Sequence, residues 1–184
     1  MRIISGIYKG IGLKAPAGIR PTEDRVRKAL FDILGDMSGS SFLELFAGSG
    51  SVGLEALSMG AQTVVFIEQD RKGVHTIEAN IASLKQGRAA PAVEVYQDDA
   101  MEAVARLAAQ GRRFDVVFAD PPYYQGLSEK ILQRIEKYDI LNNISGFLII
   151  QHFKKDPLPA RQGNLVLFKQ SRYGDTVLSF YNHP

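Results

Sequence analysis

Glu44-Leu45-Phe46-Ala47-Gly48-Ser49-Gly50-Ser51-Val52-Gly53 sets Gly48, Gly50 and Gly53 at G-x-G-x-x-G spacing, with an apolar run before and a helix-like stretch after. Glycines at this spacing let a chain leave a strand, turn tightly and open a helix with its backbone close to a ligand. Outward from the turn, Phe42–Phe46, Thr63–Ile67, Ala92–Tyr96, Phe114–Ala119 and Phe147–Gln151 read as strands. Val52–Met59, Lys72–Leu84, Met101–Ala109 and Ser128–Lys137 carry helical periodicity between them. Strands that alternate with helices and are mostly apolar throughout imply a parallel sheet covered on both faces. Asn164–Lys169 and Thr176–Tyr181, joined by Ser171-Arg172-Tyr173-Gly174-Asp175, leave no room for a crossover helix and must pair as a hairpin. The expected fold is α/β: a doubly wound, Rossmann-like sheet, mostly parallel, with an antiparallel C-terminal hairpin.

The chain has 184 residues, 45% hydrophobic and 23% charged, the balance of one soluble domain. It has no cysteine, which excludes disulfides, thiolate metal sites and Cys nucleophiles. Three histidines (His75, His152, His183) argue against a multi-histidine metal centre, so no metal is expected. No apolar run approaches the ~20 residues of a membrane span, and MRIISGIYKG is no secretory signal, so the expectation is a cytoplasmic protein with no membrane partner. Monomer is the default.

The net charge of +2 is unevenly spread. Through Lys28, seven basic residues (Arg2, Lys9, Lys14, Arg20, Arg25, Arg27, Lys28) face two acids, leaving +5; the remainder carries −3. A basic arm on a faintly acidic body suits a polyanionic partner. Residues 1–20 read as that arm, a short hairpin over Arg2–Ala15, and residues 21–184 as the main domain. Thr22 is a candidate N-cap for a helix running to about Met37, with Glu23 and Asp24 in its first turn.

Glu68 closes the second strand 20 positions beyond Gly48, where a carboxylate holds ribose hydroxyls. That spacing also suits a dinucleotide. Glu44 tilts the choice, because a carboxylate aimed at the turn repels pyrophosphate but pairs with a cationic amino group. S-adenosylmethionine has such a group and no phosphate. After the third strand, Asp98-Asp99-Ala100 reaches the crevice where an adenine would sit; Asp99 is the candidate acceptor for its amino group, and Asp98 the candidate helix cap. Asp120-Pro121-Pro122-Tyr123 ends the strand Phe114–Ala119. Two prolines force a rigid turn that aims the Asp120 carboxylate and nearby carbonyls at one point, while Tyr123 offers a flat face. Such a receptor takes the two hydrogens of a planar –NH2 group and stacks its ring.

Asp120-Pro121-Pro122-Tyr123 with the upstream Phe46-Ala47-Gly48-Ser49-Gly50 turn resembles class I SAM-dependent amino-methyltransferases. The flanks Arg2-Ile3-Ile4-Ser5-Gly6, Arg20-Pro21-Thr22, Asp24-Arg25-Val26-Arg27, Leu54-Glu55-Ala56-Leu57 and Tyr173-Gly174-Asp175-Thr176 resemble the RsmD family of bacterial 16S ribosomal RNA guanine-N2 methyltransferases. The resemblance covers nearly the whole chain. It implies methyl transfer from S-adenosylmethionine to N2 of a guanine in 16S rRNA (position 966 in the family's naming) on the assembled small subunit, with S-adenosylhomocysteine released. It implies that Glu44, Phe46, Gly48, Ser49 and Gly50, then Glu68 with Gln69, then Asp99 with Ala100, hold the cofactor. It implies that Asp120, Pro121, Pro122 and Tyr123 receive the base, and that Arg2, Lys9, Lys14, Arg20 and Arg25 contact RNA. Gln151 stands where the family pattern leads one to expect an acid; neither it nor Tyr124 nor His152 receives a role. Three alternatives stay open: an amino-methyltransferase acting on another base or on protein glutamine, a nicotinamide dehydrogenase sharing the glycine spacing, and a non-catalytic RNA-binding module.

Overall fold

The computed structural model describes residues 1–15, 24–84, 91–123, 126–142 and 146–184, which fall into two units, 1–98 and 99–184. The first unit contains α1 (Asp24–Leu34), β1 (Ser41–Leu45), α2 (Ser51–Ser58), β2 (Thr63–Glu68), α3 (Arg71–Ser83) and β3 (Ala92–Gln97). β2 lies between β1 and β3, parallel to both, with Thr63 opposite Ser41 on one side and Ala92 on the other. β1 and β2 are buried along almost their whole length, as their mostly apolar sequences lead one to expect, whereas no residue of β3 is fully buried.

Every residue of α2 is buried. A helix buried on all sides needs cover on all sides, and the N-terminal hairpin supplies some of it. Arg2 bridges Gly12, the Ile3 N–H donates to the Ile11 carbonyl, and Ile3 and Leu13 are buried, each worth ~1.5–3 kcal/mol of apolar burial. The hairpin is stitched to α2 by polar contacts. Glu55 accepts from the Ile4 and Ser5 N–H groups, Ser58 Oγ accepts from the Tyr8 N–H, and the Ile7 N–H donates to the Ser58 carbonyl. Residues 1–15 thus belong structurally to the first unit.

In the second unit come α4 (Ala100–Ala109), β4 (Val116–Ala119), α5 (Leu127–Tyr138), β5 (Phe147–Phe153), β6 (Arg161–Gln162), β7 (Leu165–Tyr173) and β8 (Thr176–Asn182). β4 and β5 are parallel; β5–β8, β8–β7 and β7–β6 are antiparallel.

The expected elements are all present, with corrected ends. α1 stops at Leu34 rather than near Met37, because Gly35 takes φ +70° and its N–H closes back on the Phe31 carbonyl. Phe46 is not a strand residue but turns out of β1 at φ +58°. Phe114 makes only an isolated bridge to Leu141, so β4 begins at Val116. β5 runs two residues past Gln151, a length set by its pairing with β8 through Phe153 and Thr176. The hairpin turn is Gly174-Asp175 alone, since Tyr173 pairs with Thr176. Two-residue β6 gave no periodic signal. Thr22 and Glu23 lie outside the described residues. Among the described residues no helix is long and apolar enough to cross a membrane.

Candidate active site

The glycine turn is held in a backbone shape that few sequences tolerate. Phe46, Gly48 and Gly50 have φ of +58°, +56° and +73°. Positive φ costs glycine little; for an aromatic residue it is strain that the surrounding structure must enforce. The Ala47 N–H donates to the Ile67 carbonyl and the Gly50 N–H to the Ala47 carbonyl, closing the turn against β2. Gly50 then opens α2 without a side-chain cap.

Two buried carboxylates lie against this turn. Glu44 Oε2 accepts from the Gly53 N–H at 2.7 Å, satisfying one of the amides that a helix N-terminus leaves unpaired. Glu68 Oε2 accepts from the Gly48 N–H at 2.7 Å, and its Oε1 from the Asp70 N–H at 2.8 Å. Charge-assisted bonds of this kind contribute ~1.5–3 kcal/mol each. Close approach explains two glycines. A Cβ on Gly53 would lie 2.4 Å from the Phe66 ring and 2.8 Å from Glu44 Oε2; one on Gly73 would lie 2.6 Å from Glu68 Cγ. Asn80, buried on α3, bonds the Ser49 carbonyl through Nδ2 and both the N–H and the carbonyl of Lys14. One amide therefore ties the turn to the N-terminal hairpin.

Gln69 is exposed beside Glu68, and its carbonyl accepts from Gln97 Nε2. At the start of the second unit the capping assignment reverses. Asp99, not Asp98, caps α4, its Oδ1 accepting from the Met101 and Glu102 N–H groups. Ala100 follows as the first, buried residue of α4. Asp98 contributes its N–H to the Glu68 carbonyl.

Asp120 follows the fully buried β4 and is itself half-buried. Its Oδ2 accepts from Gln151 Nε2 at 2.9 Å. Pro121 is buried and Pro122 exposed, so the turn is anchored on one side only. Tyr123 is half-buried; its hydroxyl lies 3.3 Å from Thr176 Oγ1 and its ring centroid 5.9 Å from that of Phe153. Tyr124 lies outside the described residues.

His152 lies on β5 next to Gln151 but turns elsewhere. Nδ1 faces the Phe153 carbonyl and Nε2 lies 2.7 Å from Ser179 Oγ, which also accepts from Gln170 Nε2. Burial pushes its pKa below the ordinary 6.5 against the opposing pull of the Phe153 and Asp156 contacts, so the imidazole is a neutral structural group.

Four cations are brought together on the first unit. Arg2, Lys9, Arg25 and Lys28 line a groove of about 540 Å³ between the hairpin and α1, with Asp24 on its wall. Lys14 is exposed but does not line this groove, and Arg20 lies outside the described residues. Arg27, counted in the basic arm, is withdrawn from the surface: it is 0% exposed, with Nε 3.3 Å from Glu55 and Nη2 donating to the Arg2 carbonyl and Asp24.

The family profile described as "Conserved hypothetical protein 95" matches residues 1–182. The Escherichia coli K12 protein named "Ribosomal RNA small subunit methyltransferase D" is 34% identical over 184 residues, covering 98% of this chain and 89% of its own. The chain belongs to the RsmD family. Bacillus subtilis YlbH is 37% identical over 184 residues, with 98% of each chain covered. The solved structure of Escherichia coli yhhF matches with TM-score 0.85 at 33% identity, over 100% of this chain and 97% of that one. The fold is accordingly the Rossmann-like α/β fold of that family. In this RsmD-family chain, sequence reading missed Asn80, Gly73 and the Gln151–Asp120 and Thr176–Tyr123 contacts. The glycine and the threonine lay in plain view in Arg71-Lys72-Gly73 and Tyr173-Gly174-Asp175-Thr176. Their partners, five to 53 positions away, did not.

Proposed function

We propose that this protein transfers a methyl group from S-adenosylmethionine to the exocyclic N2 amine of a guanine in 16S rRNA on the small ribosomal subunit. The observation that carries the reading is the Asp120–Tyr123 turn: a half-buried carboxylate fixed by a neutral amide donor, next to a braced aromatic ring. The name of the Escherichia coli relative supports rRNA of the small subunit as the substrate. The cofactor fits the first unit. Around the glycine turn, Gly53 and Gly73 mark where backbone and side chains crowd too closely for a Cβ, and the buried charges are the carboxylates of Glu44 and Glu68. Those acceptors suit a cationic ligand with ribose hydroxyls and disfavour a pyrophosphate.

Glu68 would hold the ribose hydroxyls, Phe46 to Gly50 the aminoacyl arm alongside Glu44, and Asp99 with Ala100 the adenine. When bound, S-adenosylmethionine supplies a sulfonium methyl carbon. The chain's task is to prepare the amine. A guanine N2 lone pair is delocalised into the ring. Accepting its two hydrogens at Asp120 and at the Pro121 carbonyl localises that pair on nitrogen, and holding the base in place supplies most of the acceleration. Stacking on Tyr123 returns ~1–3 kcal/mol of the cost of unstacking the base. The groove of Arg2, Lys9, Arg25 and Lys28 binds RNA phosphates without reading sequence, so an assembled, shaped particle is the favoured substrate.

Methyl-labelled S-adenosylmethionine with 30S subunits lacking their native methylation, followed by nucleoside digestion, tests this. The expected label is N2-methylguanosine at one site. Label in another nucleoside overturns the guanine-N2 assignment.

A further inference from the structure

Gln151 has no part in the reading so far beyond its contact with Asp120. It precedes Phe153 by two positions on β5, so both side chains leave the same face of the strand. Gln151 Nε2 reaches Asp120 at 2.9 Å, and the Phe153 ring lies 5.9 Å from that of Tyr123. One face of β5 therefore braces both ends of the Asp120–Tyr123 turn. The other end of the amide is the informative one. Gln151 is 5% exposed, and its Oε1 is buried without a hydrogen-bond partner among the described residues. An unpartnered buried carbonyl oxygen costs stability that an apolar side chain of similar size avoids. Stability gives no reason for an amide here; the contact with Asp120 does.

We propose that Gln151 is a positioning residue for the reaction: its amide N–H fixes the plane of the Asp120 carboxylate so that the acceptor lone pairs meet the substrate amine. The inference rests on the reading of Asp120 as the amine receptor. A neutral donor suits the task, because a cation there would weaken Asp120 as an acceptor. A carboxyl group at position 151 does the same work only while protonated, since two ionised carboxylates at this distance repel and one is pushed to hold a proton. Charged and titratable groups around this end of β5 act on one another. His152 turns to Ser179, Asp156 acts on His152, and Lys154 pairs with Asp175, on which Arg172 and Lys155 also act.

The experiment uses the full chain, unmethylated 30S subunits and labelled S-adenosylmethionine, and compares wild type with Gln151→Leu and Gln151→Glu. Gln151→Leu is expected to lower kcat about 10- to 100-fold with cofactor Kd within about twofold and Tm unchanged or raised. Gln151→Glu is expected to lose kcat at alkaline pH and regain it as pH falls. Wild-type kcat in Gln151→Leu overturns the inference. If Gln151→Leu loses Tm along with kcat, the pH profile of Gln151→Glu decides: recovery toward acid supports the positioning role, and a profile parallel to wild type overturns it. A wild type that methylates no exocyclic amine overturns the reading of Asp120 itself, a result distinguishable from either variant's.

Discussion

The glycine turn of the first unit and the Asp-Pro-Pro-Tyr turn of the second are stabilised in opposite ways. Phe46 to Gly50 is fixed by backbone amides donating to buried carboxylates, with Glu68 gripping Gly48 and Asp70 and Glu44 gripping Gly53. Asp120 to Tyr123 is fixed by side chains arriving from β5 and β8, namely Gln151, Phe153 and Thr176. The first is a rigid cradle of the kind that holds an invariant ligand by its backbone. The second leaves Asp120 and Tyr123 half-buried and Pro122 exposed, which suits the large, shaped substrate of the proposed function. On the proposed function, substitutions in the first turn should act through folding and cofactor affinity, and those in the second on turnover.

The largest effect expected from breaking this contrast is in Asp120→Ala. Turnover should fall about 10³-fold with cofactor affinity intact, as single-turnover assays and calorimetric titration would show. An equal loss of both would make Asp120 a cofactor or folding residue. Gly53→Ala comes next. A Cβ 2.4 Å from the buried Phe66 ring must displace core, so the variant should lose about 1–3 kcal/mol in urea unfolding and bind S-adenosylmethionine more weakly. Lys9→Ala combined with Arg25→Ala should leave both turns intact, raise KM for 30S subunits and lower the slope of log K against log salt by about 1–2. The smallest effect is in His152. Its pKa is held below 6.5 by burial, so the unfolded chain takes up the proton first and stability falls as pH drops below 6.5. His152→Gln should flatten that part of the curve, measured as Tm on either side of pH 6.5.

The contrast also separates what could be read in the sequence from what could not. The cradle was legible because its requirements are local. Gly48, Gly50 and Gly53 must be glycines for reasons of φ and crowding, and Glu68 follows at the end of the next strand. The Asp120–Tyr123 motif was legible as a turn, because two prolines in sequence forbid the strand to continue. Its supports were not. Gln151 lies 31 positions from Asp120 and Thr176 53 from Tyr123, and nothing in an apolar run such as Phe147–Phe153 says which of its polar residues faces which loop. Charge counting misled in one respect. Arg27 adds to the arm's formal charge, yet it lies buried against Glu55, and only packing reveals that. The capping roles of Asp98 and Asp99 differ by one residue of register, below the resolution of any sequence pattern.

The division of labour between the two turns is tested most directly by measuring cofactor Kd and saturated kcat side by side for Glu68→Gln and Asp120→Ala, against wild type on unmethylated 30S subunits. The expected result is a crossed pattern. Glu68→Gln weakens S-adenosylmethionine binding about 10- to 100-fold while kcat at saturation stays within about threefold, and Asp120→Ala does the reverse. Parallel losses in both quantities for both variants would contradict it, showing that the cradle and the amine receptor do not act as separable parts.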